Sequence, residues 1–175
     1  WGVDEVTLDT NRTYNPAGQY VTPSGVNRYY ENQTDNYWQN HYHLVYSSNL
    51  NNEVLLNAAL FYVDGRGYYE QFKQDQALEA YYLSPVIPEG DTITHTDLVR
   101  QKWLDNDFYG GVFSLIWSSD PLKLTGGGGL NRYMGDHFGK IIWMRYAGDT
   151  EKEHEWYRND AEQWDANLYV KANYQ

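Results

Sequence analysis

From Gln163 to Tyr174 every second residue is apolar or aromatic: Trp164, Ala166, Leu168, Val170, Ala172 and Tyr174. The alternate set, Gln163, Asp165, Asn167, Tyr169, Lys171 and Asn173, is mostly polar. A period of two belongs to extended chain, whose side chains point in turn to opposite faces, and not to a helix of period 3.6. The pattern predicts a strand with one apolar and one polar face. It recurs over Tyr37–Ser48, where the mostly aromatic and apolar set Trp38, Asn40, Tyr42, Leu44 and Tyr46 opposes the mostly polar set Gln39, His41, His43, Val45 and Ser47. Val54, Leu56, Ala58, Leu60 and Tyr62 share a third such face, blurred by Leu55, Phe61 and Val63 on the side of Asn57. A fourth runs from Tyr109 to Trp117. The segment from Leu122 to about Asn131 carries Gly126-Gly127-Gly128-Gly129, poor strand material by propensity. It is read as a strand because it follows a strong one through a short turn, with glycines where bulky neighbours pass. The expectation is an all-β chain of about five long antiparallel strands.

Composition narrows what the apolar faces can meet. Aromatics make up 17% of the chain, with 18 Tyr and 7 Trp, yet mean hydropathy is −0.77. Rings with one wet end suit a ligand surface or a membrane boundary better than a dry core. A net charge of −11 argues against nucleic acid, which needs clustered Lys and Arg. The acidic groups Asp149, Glu151, Glu153 and Glu155, and Asp105 with Asp107, read as solvated loop charge. The absence of cysteine removes disulfide and thiolate chemistry. No stretch reaches the ~20 apolar residues of a spanning helix. A start on Trp1-Gly2-Val3-Asp4 reads as that of an internal segment.

Three features bear on membrane barrel against soluble sandwich. Asn49–Glu53 and Ser118–Pro121 are tight turns, whereas 64–108 and 132–162 read as long loops, and the stretch before Tyr37 is long and irregular. Short turns alternating with long loops is the outer-membrane pattern of periplasmic turns and extracellular loops. Trp164 and Tyr174 lie ten residues apart on one face; at ~3.3 Å per residue and ~40° tilt that spans about 25 Å, the height between aromatic girdles. The polar face, with Asp165, Asn167 and Lys171, suits a lumen and suits water equally. Five strands cannot close such a barrel, and an open edge in lipid is costly. Further strands are therefore expected outside this segment.

The segment Tyr29-Tyr30-Glu31-Asn32-Gln33-Thr34-Asp35-Asn36-Tyr37 resembles the approach to a barrel strand in TonB-dependent receptors of the Bacteroidetes. So do Leu56-Asn57-Ala58-Ala59-Leu60 and Gly65-Arg66-Gly67-Tyr68-Tyr69-Glu70-Gln71-Phe72. Further along, Arg100–Gly111, Gly128-Gly129-Leu130-Asn131-Arg132-Tyr133 and Gly135-Asp136-His137-Phe138-Gly139 belong to the same set, in order along nearly the whole chain. The resemblance implies that residues 1–175 are part of a 22-stranded barrel in the Gram-negative outer membrane, with plug, TonB box and remaining strands absent. It implies active nutrient import, first a ferric siderophore or similar iron complex. Implied partners are the TonB complex through the missing plug, outer-membrane lipid and the nutrient. The alternatives are a glycan-importing receptor working with a surface lipoprotein, a surface barrel without energy coupling, and a soluble β-sandwich that binds carbohydrate.

Candidate site residues follow from this frame. Tyr68 and Tyr69, and Trp143 with Arg145, put rings and a cation on expected extracellular loops, where they could stack on a sugar, an aromatic siderophore or a corrin. Trp103 and Arg132 join them at lower rank. Gln39, His41, His43, Asn57, Asp165, Asn167 and Lys171 are expected to face the lumen. His41 and His43 have metal-like spacing but no third ligand. No two carboxylates are set for glycoside hydrolysis, so neither catalytic residues nor cofactor are assigned. Gly126–Gly129 lacks the Lys-Ser/Thr of a phosphate loop. The sequons at Asn11 and Asn32 read as accidental.

Overall fold

The computed structural model describes residues 3–16 and 18–174. The elements are a short helix α1 (Glu5–Thr10) and strands β1 (Gln19–Val21), β2 (Asn27–Tyr29), β3 (Asp35–Asn49), β4 (Val54–Ala77), β5 (His95–Ser119), β6 (Leu122–Met144) and β7 (His154–Tyr174), with a 3₁₀ turn at Leu78–Tyr81. β1 and β2 form a two-stranded antiparallel sheet, and β3 to β7 form a five-stranded antiparallel sheet in sequence order. The chain is all-β as expected, in an open sheet whose edges are β3 and β7.

The strands are longer than the alternation predicts. β4 continues past Val63 to Ala77, β5 starts at His95 rather than Tyr109, β6 continues past Asn131 to Met144, and β7 starts at His154 rather than Gln163. In these extensions apolar alternation stops, but backbone pairing needs no apolar face. Cross-strand charge pairs such as Arg66 with Asp105, 3.3 Å apart, occupy it instead. The long loops expected over 64–108 and 132–162 shrink to 78–94 and 145–153.

The turn at 50–53 follows the sequence: the Asn51 side-chain carbonyl accepts from the backbone N–H groups of Glu53 and Val54, at 2.8 and 2.9 Å. The glycine run lies inside β6. Gly127 has the Tyr169 hydroxyl where a Cβ would stand, and Gly128 the carbonyl of Asn167, so neighbouring groups use the space that the glycines leave.

The chain divides into two compact units. Unit 1 comprises Trp1–Asp35, Tyr69–Gln101 and Lys140–Trp156; unit 2 comprises Asn36–Tyr68, Lys102–Gly139 and Tyr157–Gln175. The apolar core belongs to unit 1, where Tyr81, Leu98 and Ile141 are buried against Leu83, Met144 and Trp156. Successive strand residues face opposite ways, so Val99 and Ile142 turn to the other side, beneath Tyr20 and Tyr30. In unit 2 the large apolar side chains lie mostly on the surface, and no second sheet covers them among the described residues.

Candidate functional site

One face of unit 2 carries an exposed apolar band. Leu44, Leu60, Phe113, Leu115, Leu130, Leu168 and Val170 all lie on it, with Leu168 and Val170 each 83% exposed. That these strands share a face is set by contact: Leu60 lies over Gly111, Leu168 over Gly128, and the Tyr42 ring stacks on Tyr62 at 5.9 Å. Water exposure of such side chains forgoes ~1.5–3 kcal/mol each relative to burial.

On each of the five long strands the band gives way to a polar side chain. Tyr42 is followed by Asn40 on β3, Tyr62 by Asp64 on β4, Tyr109 by Asp107 on β5, Leu130 by Arg132 on β6, and Trp164 by Glu162 on β7. These rows are joined laterally. The Tyr62 phenol donates to Asp107 at 2.5 Å, and Asn40 donates to Asp64 at 3.1 Å. Arg132 donates to the Tyr109 hydroxyl and to Glu162, both at 3.0 Å, while its guanidinium sits 5.1 Å from the Trp164 ring centre.

The opposite face of unit 2 is built of amides, hydroxyls and imidazoles. Ser47 donates to Asn57 at 2.7 Å, His41 and Gln39 are 3.3 Å apart, and the His41 and His43 rings stack at 6.1 Å. Asn131 donates to Asp165 at 3.4 Å, and Asn167 approaches the space over Gly129. The expected lumen residues Gln39, His41, His43, Asn57, Asp165 and Asn167 thus lie together on the polar face, and Lys171 shares their register on β7. Val45 and Val112 are exposed aliphatic exceptions there. No group of three metal-ligating side chains is found among the described residues.

The expected ligand residues are mostly not in loops. Tyr68 and Tyr69 lie in β4, Trp103 in β5, and Arg132 and Trp143 in β6; of the set only Arg145 lies beyond a strand end. Polar extensions of the strands took the appearance of loops because their faces no longer alternate. Tyr68, Trp103 and Phe138 of unit 2 form a ring ladder, Tyr68–Trp103 at 4.4 Å and Trp103–Phe138 at 5.8 Å with planes 2° apart. Arg66 and Arg158 cap this ladder, 5.3 Å from the Trp103 centre and 4.2 Å from that of Phe138.

Trp143 and Arg145 come together in unit 1. With Tyr20, Tyr30, Phe72, Val99 and Ile142 they line a cavity of about 430 Å³. Its floor is aromatic: the Phe72 ring centre is 4.9 Å from that of Tyr20 and 6.0 Å from that of Tyr30. Arg145 is anchored by Asp97 at 2.9 Å and leaves about half of its side chain exposed. Beneath the rings, the buried Glu70 accepts from the Tyr30 hydroxyl and the Asn32 amide, both at 2.6 Å, and from Gln101 at 2.7 Å. Burial, reinforced by the Glu70 carboxylate, pushes the Tyr30 phenol up to about 12.

Sequence reasoning missed Tyr20, Tyr30 and Phe72 as wall residues. A signal existed for the first two: Thr22-Pro23-Ser24-Gly25 is a turn between short β-prone runs. Gly25 takes the positive φ of 76° that the turn requires. Gln74 of β4 then clamps the hairpin through both backbone groups of Val21.

No family model matches this chain, and neither the curated proteins nor the solved structures yield a match.

Proposed function

We propose that this chain forms part of the wall of an outer-membrane β-barrel receptor of the TonB-dependent kind, whose 22 strands import a nutrient, in the first place a ferric siderophore. The observation that carries the reading is the exposed apolar band of unit 2, which gives way to an amide on β3 and to a charged residue on each of β4 to β7, after a ring on every strand but β6. A bilayer supplies the apolar phase and the polar boundary that such a face matches. The polar opposite face then lines a lumen, and the unpaired edges of β3 and β7 continue into further strands, since an edge in lipid leaves backbone groups without partners. The soluble carbohydrate-binding sandwich fits less well, because it would cover the band with a second sheet. Within the receptor, the cavity of Trp143, Arg145 and Tyr20 contributes to capture of a ligand with flat apolar surface.

The test is uptake of radiolabelled ferric siderophores and of oligosaccharides by cells carrying the native gene, and by cells carrying Trp143→Ala or Arg145→Gln. The reading expects TonB-dependent uptake of an iron complex, reduced by either substitution at unchanged surface abundance. Uptake of glycans alone would shift the substrate class. Absence of the protein from the outer membrane would end the receptor reading.

A further inference from the structure

Ile142 and Trp143 are neighbours in sequence, yet both line the unit 1 cavity, while Met144 packs with Ile141 and Leu98 in the core on the other side. Strict alternation would send Ile142 and Met144 one way and Trp143 the other. The slip at 142–143 turns Trp143 and Arg145 away from the core and into the cavity wall. Irregularities of this kind in a strand re-aim side chains beside binding sites.

What the slip delivers is donors without partners. Among the described residues, no hydrogen bond or ring contact engages the Trp143 indole, which stays half-exposed. Arg145 gives one nitrogen, Nη2, to Asp97 and keeps Nε and Nη1. The acceptors nearby are taken. Asp97 receives Arg145 and the backbone N–H of Asp75, and Glu70 receives Tyr30, Asn32 and Gln101. The cavity thus has spare donors above an aromatic floor, and no carboxylate lines it. Arg145 is the one cation lining it among the described residues, which matches a single negative charge. A guanidinium fork fits the plane of a carboxylate. An apolar cavity of roughly 150 Å³ holds one benzene, so about 430 Å³ takes a ligand portion of two or three rings. Resting on the reading of this cavity as a capture site, we infer that it binds a planar aryl carboxylate, with the rings against Phe72, Tyr20 and Trp143 and the carboxylate on Arg145. Within the receptor reading, this names the group that the imported nutrient presents here.

The experiment titrates the protein, purified as the cell makes it, with three probes by calorimetry. The probes are 2-naphthoate, 2-naphthamide, which keeps the rings and loses the charge, and cyclohexanecarboxylate, which keeps the charge and loses the flat ring. The wild type is expected to bind 2-naphthoate more tightly than either of the others by about tenfold or more, the factor that follows from one charge-assisted hydrogen bond in the case of the amide. Arg145→Gln should erase the preference for 2-naphthoate over 2-naphthamide. Trp143→Ala should weaken both and keep the preference. If Arg145→Gln fails to fold, Arg145→Lys decides: it keeps the charge, loses the fork, and should still lose 2-naphthoate affinity several-fold. Equal affinity for 2-naphthoate and 2-naphthamide, binding of neither, or a preference that survives Arg145→Gln overturns the inference. Binding of 2-naphthoate with this selectivity by a protein that imports nothing upholds the inference and ends the receptor reading. TonB-dependent uptake of an iron complex by a protein that does not bind 2-naphthoate does the reverse.

Discussion

The phenol of Tyr62 on β4 donates to the carboxylate of Asp107 on β5 at 2.5 Å, joining the last ring of the apolar band to the first acid beyond it. A tyrosine in this position presents its apolar body to one medium and its hydroxyl to another. The same step from ring or aliphatic to charge occurs at Tyr109, Leu130 and Trp164, so the boundary belongs to the sheet and not to one strand.

A charge placed in the band should therefore cost far more than one placed opposite it. Leu168→Arg is expected to destabilise the protein in lipid vesicles by ~2–4 kcal/mol, and Asn167→Arg, one residue away, by less than about 1 kcal/mol. Urea titrations of both variants measure the difference. Equal costs would mean that the two faces meet the same medium.

The Tyr30–Glu70 bond gives a pH dependence at the alkaline end. The Tyr30 phenol titrates near 10 in the unfolded chain and is held at about 12 in the fold, chiefly by burial. A raised pKa favours the neutral form, so this contribution is complete below pH 10 and is lost as pH rises from 10 through 12. Tyr30→Phe should remove that alkaline loss and cost about 1.5 kcal/mol at neutral pH, the low end for a bond to a charged partner because Tyr30 is only part-buried. Thermal unfolding at neutral and alkaline pH reads both effects.

Leu98 is fully buried at the centre of the unit 1 core. Leu98→Ala should cost about 2–5 kcal/mol. Hydrogen exchange should locate the loss in the 78–83 turn and its contacts, with amides of the 109–117 segment of unit 2 unaffected. Uniform acceleration across both units would contradict this placement of the core.

Gly65 has no room for a methyl group, since an added Cβ would meet the Tyr37 hydroxyl and crowd Asn106. Gly65→Ala is expected to cost about 1–3 kcal/mol as overpacking. Adding Tyr37→Phe removes the obstructing oxygen along with its 3.1 Å bond to Asn106, so the double variant should be more stable than the sum of the singles. A double-mutant cycle reads this coupling.

The sequence made the strands of unit 2 legible where a two-residue period separates ring from amide, as in Trp164–Tyr174 and Tyr37–Ser48. It concealed the extensions 64–77, 95–108, 132–144 and 154–162, because there charges and rings share one face, as in Arg66, Asp105, Trp103 and Phe138, while 98–99 and 141–142 carry apolar residues on both, which leaves no period to read. For the same reason Tyr68, Trp103 and Arg132 were expected in loops. Trp143 and Arg145 were recognisable as a ring and a cation close in sequence. Their cavity partners Tyr20, Tyr30 and Phe72 are distant in sequence, and only folding brings them together.

The most direct test of the account is a nitroxide scan of β7 from Trp164 to Tyr174 in the membrane-reconstituted protein, comparing collisions with oxygen and with a water-soluble nickel chelate. The account predicts a two-residue period, with Ala166, Leu168 and Val170 favouring oxygen and Asp165, Asn167 and Lys171 favouring nickel. Nickel accessibility at Leu168 and Val170 equal to that at Asn167 would contradict it.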